Sequence, residues 1–360
     1  MKYFLNLLLC IVVVKSFGQQ LNYSDGPYVF VDDNKQYILY TEGNDEQFSP
    51  KIVQADPPVK EVMVYVNNPA VIDSFQVQLY TPKPTFSSYE EPSKLFAISD
   101  IEGNFEAFWR MLLAAKVINK QAEWTFGEGH LVLVGDFMDR GDQVTQCLWL
   151  VYELERQAEI AGGKVHFVVG NHENMNLRGN DKYVRIKYLE LARQMKMDHK
   201  NLWNENTVLG AWMRSKNCAV KIGNTLYVHG GISPELVEEN LTLDQINSIA
   251  KKYYGDKYAK ETKEAYPIFS SSTGPLWYRG YFKNPIGQKQ LNRISSIYNV
   301  DHIVVGHTLQ TKIKTYYRNK VLAIDTSHKK NLPKGKLNAL FKKNNTFYVL
   351  HQSGEKEELF

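Results

Sequence analysis

Cysteine is scarce in this sequence, with three among 360 residues. So few exclude a disulfide scaffold and a thiolate zinc cluster. Charge of one sign is scarce too. The 43 basic and 39 acidic residues leave a formal charge of +4, and no basic run exceeds a pair or triplet. Nothing electrostatic therefore argues for a nucleic-acid partner. No apolar run reaches the roughly 20 residues of a membrane-spanning helix. What is abundant is apolar and aromatic bulk: 43% hydrophobic residues, with 17 Phe, 22 Tyr and 6 Trp. That composition excludes a disordered chain, a collagen and a coiled-coil rod. At about 100–200 residues per domain, the length allows one large domain or two ordinary ones.

Residues 1–18 carry Lys2, an apolar run from Leu5 to Val14 broken only by Asn6, and a small-x-small triplet, Ser16-Phe17-Gly18. This is the pattern of a cleaved signal peptide. It implies export, periplasmic or secreted, with no membrane span left after cleavage. Removing Lys2 and Lys15 leaves a charge of about +2. Cys10 departs with the leader. Cys147 and Cys218 remain, as free buried thiols or as one disulfide.

Residues 19–93 are β-rich. Tyr28–Val31, Gln36–Tyr40, Glu61–Val66 and Ser74–Tyr80 are β-branched or aromatic runs separated by Asn, Asp, Gly and Pro. A Pro/Ser-rich connector, residues 81–92, follows. From Lys94 to the end, short apolar strands alternate with helix-period stretches, the signature of an α/β layered domain. The strand-like runs are Leu95–Ile98, Leu131–Val134, Val165–Val169, Leu226–Val228 and Ile303–Val305. Thr315–Ile324 and Thr346–Leu350 close the chain as further strands. Helical periodicity marks Phe105–Ile118, Gln143–Ala161 and Asp181–Met195.

Five of these strands end in ligand-type residues beside glycine. They lead into Ser99-Asp100-Ile101-Glu102-Gly103, Gly135-Asp136-Phe137-Met138-Asp139-Arg140-Gly141, Gly170-Asn171-His172-Glu173, His229-Gly230-Gly231 and Gly306-His307-Thr308. Carboxyl ends of strands open onto the ligand crevice of an α/β sheet. Carboxylate and carbonyl oxygens with imidazoles suit Mn, Fe or Zn, and no thiolate is present to select a soft metal. One metal position cannot use so many ligands, whereas two neighbouring positions sharing an Asp can.

The ordered series D-x-H, G-D-x-x-D-R-G, G-N-H-E, H-G-G and G-H-T resembles that of the calcineurin-like metallophosphoesterase superfamily. Every block but the first is intact here. Gly274-Pro275-Leu276-Trp277-Tyr278-Arg279-Gly280, with the leader and β-rich start, makes the chain similar to the bacterial Shewanella-like protein phosphatases. The resemblance covers roughly residues 94–326. It implies an α/β fold of two packed mixed sheets flanked by helices, an αββα sandwich, behind a smaller β-rich N-terminal domain. It implies two divalent metals, manganese foremost and Fe, Zn or Mg as alternatives. Asp100 and Asp136 would bind the first; Asp136, Asn171, His229 and His307 the second. His172 matches the general acid and Asp139 the carboxylate that orients it. Arg140 and Arg279 match phosphate-binding arginines, and Glu173 a structural residue. The implied reaction is hydrolysis of a phosphomonoester on Ser, Thr or Tyr of a protein or peptide, or of a small phosphoester, by in-line attack of a hydroxide held between the metals.

Glu102 is the departure, standing where the family carries His. A carboxylate can take that ligand place and harden the site, or turn away and leave it weak. Two other functions share these blocks: a nucleotide hydrolase of the diadenosine-polyphosphate type, and a non-catalytic binding protein that retains the fold. The segment 175–213, basic and aromatic through Lys182, Tyr183, Arg185, Lys187 and Tyr188, is expected to form a helical cap carrying specificity.

Overall fold

The computed structural model describes residues 23–32, 35–44, 47–68 and 70–360; the signal-peptide expectation for residues 1–18 lies outside them. Two six-stranded mixed sheets form the centre. In the first, Lys94–Ile98, His130–Leu133 and Lys164–Phe167 run parallel. Asn338–Lys343, Thr346–His351 and Lys356–Glu358 extend it antiparallel. In the second, Thr225–Val228, His302–Val305 and Val321–Ala323 are parallel. This sheet is completed by Ala219–Ile222, Lys314–Tyr316 and a short edge strand, Ser88–Tyr89, drawn from the connector.

Alternation explains how the sheets stack. Leu95 and Ala97 share a buried cluster with Val132, Val220, Tyr227, Val304 and Leu322, which come from both sheets. Phe96 and Ile98 point the other way, into a cluster with the helices Phe105–Ala114 and Val144–Ile160. Successive side chains of a strand face opposite sides, so a strand buried on both faces reads as a continuous apolar run. The expected αββα sandwich is what the chain forms.

Thr315–Ile324 is not one strand but a hairpin. Tyr317, Arg318 and Asn319 adopt left-handed backbone, with φ of 53–67°, and turn Lys314–Tyr316 back onto Val321–Ala323. The β-rich start comprises a three-stranded antiparallel sheet (Tyr23–Asp32, Lys35–Gly43, Phe48–Ala55) and a hairpin (Glu61–Asn68, Ile72–Gln78). It packs on the helix Val144–Ile160, which is buried from Val144 to Leu154. Trp149 Nε1 donates to the Pro27 carbonyl (2.8 Å), and Glu153 accepts the Gln78 N–H (2.9 Å). The segment 175–213 holds the helices Ile186–Gln194 and His199–Trp203 and all but the last residue of Val208–Arg214. Cys147 and Cys218 are free and buried, and burial pushes the Cys218 thiol up to about 12. Among the described residues, no helix is long and apolar enough to cross a membrane.

Candidate active site

All five ligand-bearing loops converge at the carboxyl ends of the parallel strands. Their backbone is costly there. Asp100, Glu102, Asp136, Asp139, Arg140 and His307 all take positive φ, between 50° and 71°, a region that non-glycine residues seldom occupy and that concentrates at functional sites. Two glycines are required by close approach. A Cβ on Gly135 would lie 2.6 Å from His229 Nδ1, and one on Gly306 would lie 2.5 Å from Asp100 Oδ2.

Asp136 is the hub. Its Oδ2 lies 3.1 Å from His229 Nε2, and its Oδ1 accepts the His172 backbone N–H at 2.9 Å. Asp136, His229 and His307 each present a ligand atom within 4.8 Å of the others, and all three are buried. Asn171 Oδ1 is 3.0 Å from His229 Nε2. Asp100 Oδ2 accepts the His307 N–H at 3.1 Å. Glu173 fixes the hub loop from behind. Its carboxylate accepts the N–H groups of Gly170, Asp136, Phe137 and Met138 at 2.7–3.1 Å.

These donors suit divalent metals. His229 Nδ1 donates to the Val134 carbonyl (2.7 Å) and His307 Nε2 to the Trp277 carbonyl (3.1 Å). For His229 this leaves Nε2 as the metal-facing lone pair, the second-sphere arrangement that metal-binding imidazoles use; the other His307 nitrogen, Nδ1, lies 3.4 Å from Arg279 Nη2. Burial and the neighbouring carboxylates Asp325 and Asp136 raise Asp100 well above the usual range. Burial and Asp136 raise Asp325 to about 6. Carboxylates crowded this way in a buried site call for a cation.

Beside the hub stands a second pair. His172 Nδ1 and Asp139 Oδ2 are 2.5 Å apart, and Asn176 Nδ2 holds the other Asp139 oxygen at 2.9 Å. Burial disfavours charge on His172, but Asp136 and Asp139 outweigh it and its pKa is raised. Arg140 pairs with Glu102 through a close contact between the guanidinium and Oε1. The guanidinium also lies over the Tyr183 ring (5.1 Å), and the Arg140 backbone N–H donates to the Tyr183 carbonyl (3.0 Å). Tyr183 itself sits 5.2 Å, ring to ring, from His172. Arg279 donates to the His307 carbonyl (2.6 Å) and to Thr308 Oγ1 (3.2 Å). All ten residues singled out from sequence thus border one crevice, with the Glu102 carboxylate turned to Arg140.

Asp325 and Asn176 escaped the sequence reading. Asp325 follows the strand Val321–Ala323 just as the other site residues follow theirs, but no glycine flags it. Asn176 is one helical turn after His172, the spacing that places two side chains on one face. His328 also borders the site, with Nε2 2.9 Å from the Ser99 carbonyl.

A crevice of this make defines a metal-dependent phosphoesterase. A sequence profile of the calcineurin-like phosphoesterase family matches residues 93–310. The chain belongs to that family and is a metal-dependent phosphatase. It is similar to Shewanella-like protein phosphatase 2 of Arabidopsis thaliana, 25% identical over 69% of this chain and 74% of that one. Shewanella-like protein phosphatase 1 of Plasmodium berghei is 27% identical over 65% of this chain and 66% of that one. The crystal structure of a cold-active protein-tyrosine phosphatase from a psychrophilic Shewanella superposes with a TM-score of 0.83. It is 33% identical, covering 93% of this chain and 99% of that one.

Proposed function

We propose that the chain hydrolyses phosphotyrosine, and more slowly phosphoserine and phosphothreonine, in proteins or peptides. The observation that carries the phosphomonoester part of this reading is the His172–Asp139 pair set beside the Asp136 hub and Arg140. Likeness across nearly the whole of a protein-tyrosine phosphatase supports the substrate class.

Asp100 and Asp136 would hold one metal, and Asp136, Asn171, His229 and His307 the other. Bound there, the metals would supply Lewis acidity to the phosphoryl oxygens and a nucleophile at neutral pH. Oxygen-rich donors support manganese. The protein does the rest. Arg140 and Arg279 offer guanidinium forks matched to phosphate oxygens. His172 gives the proton from Nε2 to the leaving oxygen, because Nδ1 is committed to Asp139. Asp139 holds the imidazole in that tautomer, and Asn176 holds Asp139. The pattern of residues 1–18 supports export to the periplasm or beyond.

A panel of phosphotyrosine, phosphoserine and phosphothreonine peptides and diadenosine tetraphosphate, each with Mn, Mg and Zn in turn, tests the substrate class. Phosphotyrosine peptides with manganese should give the highest kcat/KM. Preferential cleavage of the nucleotide would instead make the chain a phosphoanhydride hydrolase. N-terminal sequencing of the exported product should begin at Gln19; retention of Met1 would refute export by this leader.

A further inference from the structure

Seven carboxylates among the described residues are buried: Asp25, Asp100, Asp136, Asp139, Glu153, Glu173 and Asp325. Six have hydrogen-bonding partners. Asp25 accepts from Gly26 and Tyr28, Glu153 from Gln78 and Arg156, Glu173 from four backbone N–H groups, and Asp139 from Asn176 with His172 alongside. Asp100 accepts from His307 and Asp136 from His172. Only the Asp325 carboxylate makes neither a hydrogen bond nor an ion pair among the described residues, although the residue is 6% exposed. Its oxygens keep some access to solvent, but a carboxylate so little exposed and without a protein partner is expensive, which favours a cation beside it.

Its position says where that partner lies. The strand Val321–Ala323 pairs parallel with His302–Val305 in the register Val305 to Ala323. Two residues further on, Asp325 follows the end of its strand as His307 follows the end of the neighbouring one, and its backbone carbonyl accepts the Gln310 N–H at 2.9 Å. The His307 N–H is bonded to Asp100 Oδ2, which ties the end of Lys94–Ile98 in one sheet to the end of His302–Val305, the neighbour of Val321–Ala323, in the other. The field of Asp325 reaches Asp100, and those of Asp136, His229, Arg279 and Arg140 reach Asp325. Asp325 thus lies within electrostatic reach of the hub. Glu102, standing where the family has an imidazole, spends its charge on Arg140.

We propose that the two acids have divided the work of the missing histidine: Asp325 completes the metal position shared by Asp100 and Asp136, and Glu102 is a positioning residue that aims Arg140. This rests on the metal-dependent reading above. Three carboxylates around one cation favour a hard ion such as manganese or magnesium over iron.

The test is manganese binding by calorimetry and elemental analysis on the full chain, with thermal melts of the metal-stripped and loaded forms. Wild type should bind two equivalents. Asp325→Asn and Asp325→Ala should each lose one, or bind it at least about tenfold more weakly, the lower bound seen for residues that merely support ligands. Their metal-stripped forms should melt at or above the wild-type temperature, since a repelled buried charge is gone, but gain less on loading. Glu102→Gln should keep two equivalents and raise KM for a phosphate ester more than it lowers kcat. Two full-affinity equivalents in the Asp325 variants would overturn this assignment alone, as would loss of an equivalent in Glu102→Gln. A metal-stripped melt well below wild type in both Asp325 variants would make the residue structural and overturn it too. No manganese on wild type would overturn it together with the metal-dependent reading beneath it.

Discussion

Asp139→Asn separates proton donation from metal chemistry. The substitution keeps the shape of the side chain and its bond to Asn176, but removes the charge 2.5 Å from His172 Nδ1. A hydrogen bond to a charged group contributes about 1.5–3 kcal/mol. At about 1.4 kcal/mol per decade, its loss in the transition state lowers kcat by roughly ten- to a hundredfold. The loss should depend on the leaving group. A serine alkoxide needs the proton from His172 and should show the full effect. Nitrophenolate leaves as a stable anion and should lose only severalfold. Steady-state kcat for a phosphoserine peptide and for para-nitrophenyl phosphate, at saturating manganese, reads the difference directly. Equal losses on the two substrates, with both manganese equivalents still bound, would refute the assignment of His172 as acid and Asp139 as its support.

Other outcomes follow from the same contacts. Glu173→Gln sets an amide donor against N–H groups that now share one carboxylate; stability should fall by about 2–4 kcal/mol in urea titration, and manganese affinity should fall with it. Gly135→Ala drives a methyl group against His229 and Gly170, so calorimetry should find manganese binding weakened while the fold, followed by circular dichroism, survives. Trp149→Ala empties a fully buried site and frees the Pro27 carbonyl, at about 3–5 kcal/mol; an unchanged urea midpoint would show that the N-terminal sheet does not depend on that helix. Burial holds His130 and His199 at about 4, below their ordinary 6.5. The unfolded chain therefore takes up protons first as pH falls. The stability they contribute is complete above 6.5 and drains away as pH approaches 4, on the order of 2 kcal/mol each at pH 5. Urea midpoints flat between pH 7.5 and 5 would contradict this.

Much of the catalytic layer was legible because parallel strands buried on both faces must be apolar throughout, and each then ends abruptly in glycine and a ligand. Leu131–Val134 with Gly135-Asp136 behind it shows both signals within six residues. Where the punctuation is missing, reading failed. Tyr317-Arg318-Asn319 makes a left-handed turn without glycine or proline, so a hairpin passed for one strand. Its second arm delivers Asp325, and the residue passed unseen with it. Phe48–Ala55 contains Pro50 and polar residues and is half exposed, so it lacked a strand signal and was set by pairing with Lys35–Gly43. The ion pair of Glu102 with Arg140 depends on how two loops from different strands meet, which spacing along the chain does not encode.

The most direct measurement follows bound metal and turnover together. Metal-stripped wild-type chain is titrated with manganese while phosphotyrosine-peptide hydrolysis is recorded. Turnover should be absent at the start, rise as the second equivalent binds, and vanish again on chelation. Asp136→Asn, which removes the carboxylate shared by both positions, should show neither tight binding nor turnover. Hydrolysis by the metal-stripped chain, or two bound equivalents without hydrolysis of any phosphomonoester, would contradict a phosphatase built on Asp136.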